Sequence, residues 1–124
     1  MPGPAPKLRL KRAMRIRQRR DFARLRQEGQ RLATPSLILN WQEDPGNAIP
    51  RMAVITTKKL GPAVVRARAR RLLRECFRLH QQALRVPVDL VLVARRGLLG
   101  AKLVEVEADY LTALRRANLL KETA

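Results

Sequence analysis

Six arginines stand among the fifteen residues from Val64 to Arg78, V-V-R-A-R-A-R-R-L-L-R-E-C-F-R, and only Glu75 offsets them. At about 100° per residue, Val65, Ala69, Leu72, Cys76, Leu79 and Ala83 fall on one stripe, while Arg66, Arg70, Arg71, Arg74 and Arg78 fill the opposite arc. The spacing predicts a helix with one packing face and one cationic face. Arginines at i and i+4 repel by roughly 0.2 to 0.5 kcal/mol per pair. Mixed charge is what an ordinary solvated helix carries, so a run of one sign points to an anionic partner. The chemistry on offer is electrostatic: guanidinium forks that hold phosphate oxygens two at a time.

The rest of the chain extends that bias. Its 27 Lys+Arg against 10 Asp+Glu give a net charge of +17 in 124 residues, a balance that repels itself without counter-ions or phosphate. There are 21 arginines and only 6 lysines, which favours RNA, because a guanidinium can also stack on an unpaired base. Aromatics are limited to Phe22, Trp41, Phe77 and Tyr110, too few for a platform of adjacent rings, so backbone contacts should dominate affinity. Paired histidines, metal-ligand spacings, a phosphate loop and a nucleophile with an evident base are all missing. No catalytic residue and no protein-bound metal are expected. Cys76 lies on the apolar stripe and His80 one turn later, both read as packing residues rather than as nucleophile or ligand.

The elements that must position this surface follow from pattern. At 46% hydrophobic the chain can build one modest core. The first sixteen residues, Pro-rich and then dense in charge, are expected to form a flexible basic arm, residues 17–120 a single domain, and 121–124 a tail. A short helix is expected around Asp21 to Leu25, with Phe22 half core and half cleft wall, and Gly29 as its stop. Leu37, Leu39 and Trp41 alternate with Ser36, Ile38 and Asn40 at the period of a strand. The turn signal Asp44-Pro45-Gly46-Asn47 and a second strand from Arg51 to Thr57 then suggest a first hairpin. Val88 to Ala94 is almost continuously apolar, the mark of a strand covered on both faces and central in its sheet. Glu105 to Arg116 reads as an amphipathic helix. No stretch approaches the roughly 18 apolar residues of a membrane span, and the start lacks the apolar core of a secretory signal, so a cytoplasmic protein is expected, without a membrane partner. The order helix, strand, strand, helix, strand, helix gives an α+β fold, a two-layer α-β sandwich.

Taken in order, these residues resemble the bacterial ribonuclease P protein component from about Leu10 to Leu120. The anchors are Asp21, Phe22 and Gly29 after a basic start, Thr57-Lys58-Lys59 closing a strand, Gly61-Pro62-Ala63-Val64, the run from Arg66 to Glu75, and Ala94-Arg95-Arg96-Gly97. Two departures stand out. The family's Arg-Asn-Arg is here Arg66-Ala67-Arg68, and Arg26 and Asn40 occupy places where rings would line the cleft. The resemblance implies a sandwich whose arginine-rich helix crosses over between parallel strands with a left-handed connection. It implies a non-catalytic protein subunit of a ribonucleoprotein endoribonuclease, whose RNA and RNA-bound Mg2+ remove the 5′ leader of precursor tRNA. The partners it implies are ribonuclease P RNA, contacted by Arg66, Arg68, Arg70, Arg71 and Arg74, and the leader, placed near Lys58, Lys59 and Phe22. A ribosomal or general RNA-binding protein is the alternative. A helix-turn-helix DNA binder is disfavoured, since Met52 to Thr57 reads as a strand and no Asn or Gln stands on the basic face to read adenine.

Overall fold

The computed structural model describes residues 8–43 and 45–121. Three helices, α1 (Arg19–Glu28), α2 (Ala63–His80) and α3 (Leu103–Arg116), accompany four strands, β1 (Gln30–Ala33), β2 (Leu37–Glu43), β3 (Arg51–Ile55) and β4 (Val88–Ala94). The strands form one mixed sheet in the order β1-β2-β4-β3. β4 is internal, as its apolar run predicts: it pairs antiparallel with β2, where Leu39 faces Leu92, and parallel with β3, where Ala53 faces Val91.

The expected hairpin between β2 and β3 does not form, because β4 lies between them. The true hairpin is β1 with β2, and β1 went unpredicted: its four residues Q-R-L-A are exposed except for half-buried Leu32, so it carries no burial pattern. The parallel β3–β4 pair is joined through α2, as the α-β crossover requires. Part of the predicted turn, Asp44, lies outside the described residues, as do 1–7 of the arm and 122–124 of the tail.

Period-two alternation divides the sheet's two faces. Leu37, Leu39, Trp41, Met52, Leu90 and Leu92 join the main core with Leu73, Cys76 and Phe77 of α2 and Val106, Tyr110 and Leu114 of α3. The opposite face holds a smaller cluster, Val91 with Ile16 and Leu25, against which Phe22 and Ala53 pack. The boundary expected after residue 16 therefore falls inside packed chain. Met14 and Ile16 are buried, and the Ile16 amide donates to the Met52 carbonyl at 2.9 Å, laying this segment along β3.

A buried ion network ties α1 to the sheet. Asp89, fully buried in β4, accepts from Arg51 Nε at 2.9 Å and Nη2 at 2.6 Å and from Arg24 Nη2 at 2.9 Å. Asp21 of α1 lies 3.2 Å from Arg24 and 3.4 Å from Arg51. The hydrogen bond to Asp89 is the main cause that raises the Arg51 pKa. Gly29 ends α1 through close approach rather than through a left-handed turn: its φ is −81°, and a Cβ there would lie 2.4 Å from the Leu25 carbonyl oxygen and 2.9 Å from that of Trp41.

In the main core the Tyr110 hydroxyl is buried without a hydrogen-bond partner, and burial drives its pKa upward. Burial also pushes the neighbouring Cys76 thiol up to about 12, so it is inert at neutral pH. Because an unpaired buried hydroxyl costs about 1 to 3 kcal/mol, Tyr110→Phe is expected to stabilise the fold. A thermal melt should rise by roughly 4 °C; a fall would mean the hydroxyl has a partner in solution.

Candidate nucleic-acid interface

The helix predicted from Val64 to Arg78 is α2, but its buried face is rotated from the expected stripe. Ala69, Leu73, Cys76 and Phe77 are the buried residues, whereas Val65, Leu72 and Leu79 are only half-buried. At about 100° per residue this turns the packing face by some 60° toward the arginines and divides them into two sets. Arg66, Arg70 and Arg74, four residues apart, flank the core on the β3 side and are half-buried. Arg68 and Arg71 are exposed on the side of the loop before α3.

The first set is held in place. Arg70 Nη1 donates to Thr56 Oγ1 at 2.9 Å just beyond β3. Arg74 lines a pocket with Arg15, Arg17, Phe22 and the β3 residues Met52 to Val54, and no carboxylate borders it. Desolvation, reinforced by Arg15 and Arg70, lowers the Arg74 pKa. The Nε of Arg66 is buried without a partner. Like charges gathered at partly desolvated positions are costly alone and are relieved by an anion.

In the second set, Arg68 Nη2 donates to the Ala101 carbonyl at 2.5 Å, and Arg71 borders a separate hollow with Leu72, Glu75 and Leu103. Arg78 is committed elsewhere: it pairs with Glu75, and its Nη1 donates to the Leu8 carbonyl at 3.0 Å. Ala67 is half-buried between the two sets.

On the α1 face of the sheet a cleft of about 170 Å³ is lined by Phe22, Arg26, Asn40, Ile55, Val91 and Val93. Phe22 is half-buried, as predicted, and reaches both this cleft and the Arg74 pocket. Asn40 Nδ2 donates to the Val91 carbonyl at 3.3 Å. Trp41 is in the main core and takes no part. Lys58 and Lys59 are exposed in a 3-10 turn after β3. Lys59 opens onto a different pocket, with Arg95 and Arg96, not onto the Phe22 cleft.

The sequence reading missed Arg15 and Arg17. Their signal is period-two alternation, Met14 and Ile16 buried and Arg15 and Arg17 exposed, within the segment expected to be a flexible arm.

A basic two-layer α-β domain with clustered, partly desolvated arginines beside a sheet cleft belongs to the class of nucleic-acid-binding proteins. The family model described as Ribonuclease P matches residues 10–118, and the chain belongs to the ribonuclease P protein family, the subunit that assists 5′ maturation of tRNA. It is 36% identical over 118 residues to the ribonuclease P protein component of Syntrophus aciditrophicus, covering 94% of this chain and 98% of that protein. Against that of Brevibacillus brevis it is 32% identical over 111 residues, covering 90% and 88%. The RNase P protein of Thermotoga maritima superposes with a TM-score of 0.74 at 26% identity, covering 82% of this chain and 96% of that one. The RNase P protein of Staphylococcus aureus shares the fold, with a TM-score of 0.80 at 24% identity, over 89% of this chain and 100% of that one.

Proposed function

We propose that this protein binds a ribonuclease P RNA through α2 and the 5′ leader of precursor tRNA through the cleft beside α1, and so assists leader removal in the cytoplasm. The observation that carries it is the half-buried row Arg66, Arg70 and Arg74, whose last member meets Arg15 and Arg17 in a pocket bordered by no carboxylate. Arg68 and Arg71 extend the contact along the outer side of α2. Phe22, the one ring in the cleft, offers a stacking face, while Arg26 and Asn40 offer charge and hydrogen bonds where further rings are absent. Lys58, exposed in the turn after β3, steers the leader toward the cleft.

The chemistry lies with the RNA and its magnesium ions. Among the described residues no three or more His, Cys, Asp or Glu are grouped to hold a metal, and the buried Asp21 and Asp89 are engaged by arginines. No described helix is long and apolar enough to cross a membrane.

The test is cleavage of a 5′-extended precursor tRNA by a bacterial ribonuclease P RNA at low magnesium, with and without the protein. Stimulation is expected. Its absence with the RNA of the same genome would favour a general basic RNA-binding protein, which should travel with ribosomal subunits.

Ala67 sits where the family's asparagine supplies an amide that both donates and accepts. Ala67→Asn is expected to tighten RNA binding by up to about tenfold, one net hydrogen bond of roughly 0.5 to 1.5 kcal/mol. Filter binding checks this, and a marked loss of affinity would show that the surface is built around the methyl group.

A further inference from the structure

The cleft between α1 and the sheet is apolar except at two points. Of its seven lining residues only Arg26 and Asn40 can hydrogen-bond through a side chain, and the other five are hydrophobic, Phe22 among them. Arg26 follows Phe22 by four residues on α1, so the guanidinium and the ring are neighbours on one helix face. Asn40 enters the same cleft from the sheet, where it stands opposite Val91 in the β2–β4 ladder.

The two polar groups offer different things. Asn40 Nδ2 donates to the Val91 carbonyl at 3.3 Å. A carbonyl can only accept, so the amide cannot be turned over, and Oδ1 with one N–H is left for a ligand. Arg26 is exposed and makes no side-chain hydrogen bond among the described residues. No carboxylate lines the cleft to occupy it. A base stacked on Phe22 therefore meets a fork that only donates on one side and a fixed amide with a free acceptor on the other.

Guanine matches that pair. Its N7 and O6 are adjacent acceptors that suit a guanidinium fork, and its N1–H and exocyclic amine donate to an oxygen such as Asn40 Oδ1. Adenine carries an amine where guanine has O6, and cytosine likewise turns an amine toward the fork, so donor would face donor. Uracil keeps one carbonyl beside an N–H and satisfies half of the pattern. The hydrophobic walls sharpen the choice, because a polar edge left unpaired in such a site is costly.

We propose that Arg26 and Asn40 make this cleft select guanine at one position of the 5′ leader, with Phe22 as the stacking face. The proposal rests on the reading above that the cleft holds the leader. It gives the two residues that stand in place of rings a role that rings cannot fill, since an aromatic face stacks on every base alike.

The test uses the holoenzyme, this protein with a bacterial ribonuclease P RNA, on precursor tRNAs in which each leader position is changed in turn to all four nucleotides. At one position guanine is expected to exceed adenine and cytosine in kcat/KM by about tenfold, as one bidentate contact discriminates, with uracil between them. The RNA without the protein should show no such order. At that position 7-deazaguanine, which lacks the N7 acceptor, should lose most of the advantage. Arg26→Ala should abolish the guanine advantage and the sensitivity to 7-deazaguanine together, and its exposed side chain braces nothing, so the fold is not at issue. Asn40→Ala should narrow the advantage. Stimulated cleavage that is indifferent to the base at every leader position overturns the proposal and leaves the ribonuclease P reading standing. A guanine advantage that survives Arg26→Ala also overturns it, because the selection then lies elsewhere. With no stimulation of cleavage at all, both readings fall.

Discussion

Asp89→Ala is expected to destabilise the fold by about 3 to 5 kcal/mol, because it strips the shared acceptor from Arg24 and Arg51 and leaves buried positive charge uncompensated. Asp89 is fully buried, and Arg51 is 16% exposed, so water cannot readily replace the carboxylate. Asp21 stays within 3.4 Å of both arginines and offsets part of the loss, which sets the range below that of an isolated buried charge. Domains of this size carry roughly 5 to 15 kcal/mol in all, so the variant should approach the edge of folding at 37 °C. Urea unfolding with an unchanged m value is the measurement. A loss under 1 kcal/mol would show that α1 is held by Leu25 and Phe22 alone. The same network fixes the cleft, since α1 carries Phe22 and Arg26 on one side and Asp21 and Arg24 on the other. Arg51→Ala leaves the buried Asp89 and Asp21 with Arg24 as their one cation among the described residues, and should destabilise the fold as well.

How far the sequence reveals this molecule depends on which contacts are local. The extent of α2 and α3 and the central place of β4 follow from periodicity, because burial imposes 3.6 on a helix and continuous apolarity on an inner strand. β1 carries no such signature: it is an edge strand whose only half-buried residue is Leu32, and its existence is decided by pairing with β2. Strand order is non-local as well, and the chain between β2 and β3 looks like a hairpin turn until β4 arrives 33 residues after β3 and inserts. Among candidate site residues, the arginines of α2 were legible as a group. Their division was not, because it depends on Leu73 and Phe77 rather than Leu72 and Leu79 being taken into the core. That Lys59 meets Arg95 and Arg96 depends on the parallel register of β3 and β4, which no spacing in the sequence encodes. Asp89 stands in an otherwise apolar strand, and a buried acid of that kind asks for partners of opposite charge.

Arg66→Ala/Arg70→Ala/Arg74→Ala is expected to weaken binding to ribonuclease P RNA on the order of 100-fold near 0.15 M salt and to flatten the salt slope by about 2 to 3 units. The estimate takes one phosphate per arginine and about 0.7 to 0.9 counterion released for each. Arg78 continues their row at the same spacing but is paired with Glu75. Arg66, Arg70 and Arg74 are half-buried beside β3, and desolvation, reinforced by Arg15 and Arg70, lowers the Arg74 pKa. In the free protein that crowding is unfavourable, so removing the three should not destabilise the fold and should raise its melting temperature slightly. Opposite signs for stability and binding separate a contact surface from a structural one. Arg78→Ala supplies the comparison on the same helix: it breaks the pair with Glu75 and the bond to the Leu8 carbonyl, and should change the salt slope little. If the triple variant lost stability and affinity together, the row would be a packing feature. Binding would then fall to Arg68 and Arg71 on the outer side of α2.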